Sequence, residues 1–275
     1  MRARVFIAAI SLGVAVFAGA IAPHGEQSRR ATLLEDLTWI EAEKVLTASA
    51  VVVIPLGAAS KEHGPHLKLK NDWLIAEYLK GRILSASDVV VAPTIGYSFY
   101  PAFVEYPGST SLRFDTARDM VVDICRSLAR FGPRRFYVIN TGVSTVRPLE
   151  AAAKQLRDEG ILLRYTNLKV TEPVEATIRK EEGGTHADEI ETSMMLYIAP
   201  RTVDMSKAAH DYHPDKGAAL TRDPNAEGTY SPSGIWGDAT LATREKGRIV
   251  TEALVKSIVA EIEDLRRAPV RAGDR

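Results

Sequence analysis

The sequence lacks the cysteine pairs that crosslink small secreted domains and the excess of basic residues that binds polyanions. Its single cysteine, Cys125, cannot form an intrachain disulfide, and its helical context indicates a small buried side chain rather than a nucleophile. Lysine plus arginine and aspartate plus glutamate each number 35, so the formal net charge is zero, and aromatic residues make up 7%. Such a chain has no electrostatic footprint for nucleic acid or an anionic membrane, and we expect neither as a partner.

One common hydrolase motif is also missing. Ser144 follows a predicted strand, but no Gly-x-Ser-x-Gly elbow surrounds it, which argues against a serine hydrolase. The chain does have size and apolar content. Its 275 residues, 45% of them hydrophobic, are enough to bury a large core.

The first 22 residues differ physically from the rest. Arg2 and Arg4 give a positive start, and residues 5–22 are apolar and small without a charge. This pattern is typical of a secretory signal peptide, so we predict a signal peptide at 1–22, one mature domain at 23–275, and a periplasmic or secreted protein. An uncleaved anchor is the alternative, since about 18 apolar residues is near the lower limit for spanning a bilayer.

Predicted strands and helices alternate along the mature chain. Strands are predicted at 50–55, 89–92, 135–140 and 161–165, and helices at 72–84, 115–131, 147–159, 187–197 and 240–266. Alternation of this kind builds βαβ units, so we expect an α/β fold with a mainly parallel sheet and helices on both faces. Residues 206–237, rich in Pro, Gly, Asp and His, are predicted to form a long irregular excursion.

A group of candidate metal ligands follows the first long strand. Glu62, His63, His66 and Asp72 lie within eleven residues, on the loop that leaves this strand. Ligands of open α/β sheets bind beyond the carboxyl ends of the strands. Imidazole and carboxylate are the donors of catalytic zinc, manganese and iron sites, in which one position stays open for water.

A second polar cluster lies downstream, around the start of a predicted helix. His186 precedes this helix, and Asp188 and Glu189 are explained by its dipole, which favours acidic groups in the first turn. Glu191 sits where the helix turns apolar. A carboxylate in that position is either paired or bound to a metal.

Five separated motifs stand in one order along the mature chain. They are Pro55-Leu56-Gly57; His63-Gly64-Pro65-His66-Leu67-Lys68-Leu69 with Asp72 nine residues after His63; Pro107-Gly108-Ser109-Thr110-Ser111-Leu112; His186 with Glu191-Thr192-Ser193; and Gly237-Asp238 with Ala242-Thr243 and Lys246-Gly247. The chain thereby resembles the creatininase family of amidohydrolases over about residues 33 to 266. The resemblance implies a three-layer α/β/α sandwich and a homo-oligomer, a hexamer in typical members.

The resemblance also implies a divalent metal ion, which we predict to be zinc, with manganese or iron as alternatives. The expected metal ligands are Glu62, His63, Asp72 and Glu191. The metal would activate a water for attack on a small cyclic or linear amide.

The remaining roles at this centre concern protons and substrate. His186 and Glu191 are the candidates to pass a proton to the departing nitrogen. His66 and Lys61 are predicted to bind the substrate.

Two departures from the family pattern concern the metal. The family places a metal-binding Glu where this chain has Lys61, and a metal-binding His, in the turn after the third long strand, where it has Gly142. Because both lost groups serve one ion of a binuclear centre, we predict that Lys61 and Gly142 lie beside one another and that Lys61 replaces part of that ion's charge. Glu62 or His66 could still occupy the position of a lost metal ligand. The sequence therefore leaves open whether one or two ions bind per chain.

The same losses leave a second function open. The chain could be a catalytically inactive creatininase-like binding or assembly subunit in the periplasm. Retention of His63, Asp72, His186 and Glu191 argues against this alternative, because buried carboxylates that repel one another need a cation.

The signal-peptide hypothesis has a direct test. Mass spectrometry of the protein produced in a bacterium should place the mature N-terminus near residue 21 to 25, because the apolar run at 5–22 carries small residues suited to cleavage at its end. An intact Met1 on soluble cytoplasmic protein would contradict the prediction.

Overall fold

The computed structural model describes residues 31–214 and 219–270. The predicted signal peptide at 1–22, and its boundary with the mature domain, lie outside the described residues. Within them, none of the helices has the length and apolar content needed to cross a bilayer.

A five-stranded sheet forms the centre of the structure. Its strands are β1 (Thr32–Leu33), β2 (Val51–Leu56), β3 (Val90–Val91), β4 (Arg135–Asn140) and β5 (Leu162–Tyr165). They are arranged in the order β1-β3-β2-β4-β5, and every pairing is parallel. The carboxyl ends of β3, β2 and β4 are therefore neighbours along one edge of the sheet.

Helices cover both faces of this sheet. They are α1 (Trp39–Val45), α2 (Asn71–Ala86), α3 (Phe114–Ala129), α4 (Val146–Asp158), α5 (Glu172–Ile178), α6 (Glu189–Ile198) and α7 (Arg244–Arg267). Apolar residues of α3 and α4 pack in one core layer, whereas those of α2, α6 and α7 pack in the other. The result is the predicted three-layer α/β/α architecture.

Strand β2 shows how the sequence builds the two layers. All six of its residues are buried, as expected for a strand covered on both sides. Side chains alternate across a sheet, so Val52 and Ile54 join the layer with α3 and α4, and Val51 and Val53 join the layer with α2 and α7.

The predicted elements are present, with ends that differ by a few residues. Helix α6 starts at Glu189 rather than 187, because the Asp188 side chain caps it by accepting from the Glu191 amide. Helix α7 starts at Arg244 rather than 240, because Thr243 caps it in the same manner. Sequence reasoning missed α1, which begins with a capping box between Thr38 and Glu41, as well as β1 and α5.

The predicted excursion at 206–237 holds short paired segments. Here β6 (His210–Asp211) pairs antiparallel with β9 (Gly237–Asp238), and β7 (Leu220–Thr221) pairs parallel with β8 (Thr229–Tyr230). Trp236, just before β9, exchanges backbone hydrogen bonds with His186. The excursion thus folds back onto the region that holds the second polar cluster.

Close packing of α6 against α7 requires a glycine. A Cβ at Gly247 would lie 1.8 Å from the carbonyl oxygen of Ser193, so Gly247→Ala should push the helices apart and cost about 1–3 kcal/mol. Gly81, within α2, is the control, because a Cβ there meets no atom within 4 Å. Gly81→Ala should stabilise the protein by about 0.5–1 kcal/mol. Urea denaturation measures both, and equal stability of the two variants would contradict the packing.

Candidate metal centre

The loop between β2 and α2 contains the first set of polar residues. It folds back over the edge of the sheet. It can do so because Gly57 has no side chain: a Cβ there would lie 2.3 Å from the carbonyl oxygen of Asp72. The Trp73 amide then donates to the Ala58 carbonyl at 3.1 Å. These contacts fix Asp72, in the first turn of α2, directly beside the loop.

Asp72 is the most enclosed charge of the centre, with no exposed surface. Its Oδ2 atom is 2.7 Å from Lys61 Nζ, and its Oδ1 atom is 2.8 Å from His63 Nε2. The other ring nitrogen of His63, Nδ1, lies 2.9 Å from the Lys61 carbonyl oxygen. The carbonyl oxygen accepts a hydrogen bond from Nδ1–H, and this contact turns Nε2 towards the carboxylates.

The second polar cluster reaches the same place from the start of α6. Ala187 has a positive φ of 50°, which is uncommon for a residue with a side chain and often marks a functional site. Its amide donates to Glu191 Oε2 at 2.7 Å. Asn71 Nδ2 donates to Glu191 Oε1 at 3.0 Å. The Glu191 carboxylate is thereby fixed at two points.

Three of the predicted site residues form a group that could hold a metal ion. His63, His186 and Glu191 each offer one ligand atom, and these atoms lie within 4.8 Å of one another. His63 Nε2 is 3.3 Å from Glu191 Oε1. Two ligands bound to one tetrahedral zinc are about 3.3 Å apart, so this pair of donors fits such an ion in both type and spacing. Asp72 adjoins the group through His63.

Glu62 is placed next to His186 rather than beside Asp72. Its Oε2 atom is 3.0 Å from His186 Nε2, and its other oxygen accepts from the Gly64 amide. A carboxylate on the outer nitrogen of an imidazole orients the ring and raises its basicity. The role of Glu62 as a metal ligand is not tested by this contact and stays a prediction.

The alternation along the loop explains this placement. Lys61 and His63, two residues apart, reach the same carboxylate of Asp72, while Glu62 between them points to His186. Neighbouring side chains of an extended segment point in opposite directions. The alternation indicates that Glu62 points away from Asp72, and only the tertiary structure identifies His186 as its partner.

His66, a predicted substrate-binding residue, lies buried between the loop and α6. Its Nε2 atom is 2.8 Å from Thr192 Oγ1. Burial lowers the pKa of His66 to about 4, so the ring is neutral at neutral pH. Its contact ties α6 to the loop, and its role towards substrate stays a prediction.

The charges of the centre depend on one another. Burial opposes the charge on His63, but Asp72 and Glu191 outweigh it and raise the pKa of His63 to about 9. Burial also opposes ionisation of Asp72 and Glu191, yet the neighbouring cations hold the pKa of both carboxyls below the usual value. The pKa of Lys61 is raised in spite of its burial, because Asp72 and Glu191 lie close. The centre is therefore a buried set of paired charges.

Aromatic rings close one side of the centre. The Phe103 ring is 4.4 Å from the His186 ring, centre to centre, and Lys61 Nζ lies 4.7 Å from the Phe103 centroid. Lys61 Nζ is 5.7 Å from the Tyr100 centroid, a distance at which the ring face attracts a cation. The Tyr100 hydroxyl is buried and has no hydrogen-bond partner among the described residues.

Gly142 lies in the turn after β4, near the Tyr100 ring. A Cβ added at Gly142 would be 3.7 Å from Tyr100 Cε1. That Lys61 and Gly142 lie beside one another stays a prediction. Sequence reasoning missed Asn71 and Trp236, which no sequence motif singled out.

The known protein family can be identified from these features. The profile described as creatininase, creatinine amidohydrolase, matches residues 35–262, and the chain belongs to the creatininase family. It is 28% identical over 256 residues to the creatinine amidohydrolase of Pseudomonas putida, which covers 86% of this chain and 97% of that protein.

Two further comparisons bear on chemistry and fold. A mycofactocin precursor peptide peptidase of Mycobacterium ulcerans is 27% identical over 244 residues, covering 85% of this chain and 93% of that protein. A solved structure described as "Creatininase Mn" matches with a TM-score of 0.70 at 25% identity, over 87% of this chain and 100% of that chain. The predicted family and fold class are confirmed, and the similar proteins support a metal-dependent hydrolase of amide bonds.

The buried ion pair between Lys61 and Asp72 can be tested by a double-mutant cycle. Lys61→Met and Asp72→Asn should each cost roughly 3–5 kcal/mol in buffer with a chelator, since each leaves a buried charge without its partner. The double variant should cost clearly less than the sum. The exposed pair of Arg248 and Glu245 is the control, because Arg248→Met should cost under about 1 kcal/mol. Additive losses in urea denaturation would rule out a direct pair.

Proposed function

We propose that this protein is a metal-dependent hydrolase that cleaves the C–N bond of a cyclic or linear amide. The observation that carries the proposal is the convergence of His63, His186 and Glu191, whose donor atoms lie within 4.8 Å of one another. In this proposal His63 and Glu191 are metal ligands, and His186 is the proton carrier beside them. Two relatives support the reaction type, since one is named as a creatinine amidohydrolase and the other as a peptide peptidase.

One divalent ion, zinc or alternatively manganese or iron, would be held by His63 and Glu191, with Asp72 as a predicted further ligand. Glu191 Oε1 lies 3.3 Å from His63 Nε2, and Asp72 Oδ1 lies 2.8 Å from the same nitrogen. When bound, such an ion lowers the pKa of a water and polarises the scissile carbonyl. Asn71 and the Ala187 amide keep the Glu191 carboxylate in place.

His186 is assigned the proton transfer rather than a place among the ligands. Its Nε2 faces Glu62 Oε2 at 3.0 Å, and its Nδ1 faces Glu191 Oε2 at 3.8 Å. An imidazole with a carboxylate on one nitrogen can take a proton on the other and hold the positive charge that results. His186 would accept the proton of the attacking water and deliver it to the departing nitrogen. Glu62 would orient it.

The setting proposed for this enzyme is outside the cytoplasm, as a homo-oligomer. The support is the apolar run at 5–22 with its positive start, and the resemblance to a family whose members assemble. The runner-up function is an inactive binding or assembly subunit. It is favoured by the direct pair between Lys61 and Asp72, in which a lysine takes up an oxygen of a predicted metal ligand.

The roles of His186 and Glu191 can be separated by measuring metal and activity together. Glu191→Gln should lose most of the bound metal and the activity on a panel of creatinine, formamides and short peptides. His186→Gln should keep the metal and lower kcat by about 10²–10⁴-fold, as loss of an acid–base group does. Glu252→Gln is the matched control, since Glu252 pairs with Arg82 on the surface, and it should change neither quantity.

Two outcomes would count against this assignment. If His186→Gln releases the metal, His186 is a ligand and the proton carrier is another group. If the natural protein binds metal but hydrolyses no amide in the panel, the inactive-subunit function gains support over the enzyme.

A further inference from the structure

A buried lysine occupies a position where the family is expected to place a metal-binding carboxylate. Lys61 is 5% exposed, and Asp72 is not exposed at all. Lysine is almost never fully buried without a partner, because removing an ammonium from water is costly. Its partner here is Asp72 Oδ2 at 2.7 Å. Lys61 is therefore a structural component of the centre rather than a solvent-exposed loop residue.

The surroundings of Lys61 suit a fixed cation. The ring faces of Phe103 and Tyr100 lie 4.7 and 5.7 Å from Nζ, and aromatic faces attract a cation. Asp72 divides its two oxygens between Lys61 and His63. The Asp72 carboxylate thus contacts both a permanent cation, Lys61, and a proposed metal ligand, His63.

Gly142 offers a metal no side chain, and its backbone groups are already hydrogen-bonded. The Gly142 carbonyl accepts from Asn140 Nδ2 at 2.8 Å and from Thr145 Oγ1 at 2.7 Å. The Gly142 amide donates to Asn140 Oδ1 at 3.3 Å. At this position the turn therefore supplies no metal ligand.

Of the two residues that could take over the missing ligand positions, Glu62 is engaged elsewhere, since it gives its oxygens to His186 and to the Gly64 amide. His66 is held through Nε2 by Thr192, and its buried Nδ1 atom has no hydrogen-bond partner among the described residues. One imidazole nitrogen and an Asp72 oxygen already paired with Lys61 are fewer than the three protein ligands that a tightly bound zinc ion needs.

We infer that the centre binds one divalent ion per chain and that the ammonium of Lys61, paired with Asp72, stands in the place of a second ion. The inference rests on the proposed metal centre. The positive charge beside Asp72 is then part of the chain, and its presence does not depend on metal supply. The same ammonium repels any second cation that approaches Asp72.

Metal stoichiometry tests this inference without any assay of activity. The chelator-stripped full protein is titrated with Zn²⁺ by isothermal titration calorimetry, and the metal retained after dialysis is counted by mass spectrometry. We expect one tight Zn²⁺ per chain. Lys61→Glu combined with Gly142→His restores a carboxylate and an imidazole, and it should raise the count from one towards two. Lys61→Met removes the ammonium without adding a ligand, so its count should stay at one.

Each outcome is decisive. Two tight ions in the natural protein would overturn the substitution by Lys61 while leaving the metal-dependent hydrolase intact. No tight ion at all would overturn the proposed metal centre, and this inference with it. Should the double variant fail to fold by circular dichroism, the stoichiometry of the natural protein still decides, because two ions there contradict the inference.

Discussion

The carboxylate of Asp72 is the group on which the centre depends. It lies in the first turn of α2 without exposed surface, where an unpaired charge would be too costly to keep. Lys61 and His63, from the loop after β2, each approach one of its oxygens. Loop and helix are therefore joined by charge as well as by backbone contacts. His63 in turn faces Glu191, which extends the charge pairing to α6.

The backbone geometry of two segments lets these charged side chains reach one another. Gly57 lets the loop pass against the Asp72 backbone, a contact that any side chain would block. At the other cluster, Ala187 adopts a left-handed conformation between His186 and Asp188. Strain of this kind persists only where the surroundings hold it, and here the Ala187 amide donates to Glu191. The backbone is thus shaped to aim polar side chains inward at the sheet edge.

The Asp72 carboxylate connects the side of the centre that keeps the creatininase family pattern to the side that departs from it. The side of the centre with His63 and Glu191 keeps donors suited to a divalent ion. The side with Lys61 has an ammonium and a closed turn at Gly142 in place of donors. In the one-ion centre that we infer, the ammonium of Lys61 stands in the place of a second, exchangeable ion, and Asp72 keeps a positive partner.

The sequence by itself determined the layers of the fold and the set of polar groups at the sheet edge. Local rules suffice for these: apolar periodicity specifies buried strands and helices, and parallel strands bring their carboxyl ends together. Only the tertiary structure decided which partner each charge takes. Glu62 pairs with His186, 124 residues away, and the Tyr100 ring lies 5.7 Å from Lys61 Nζ. Such contacts follow from the packing of distant segments, and a local pattern carries no information on that packing.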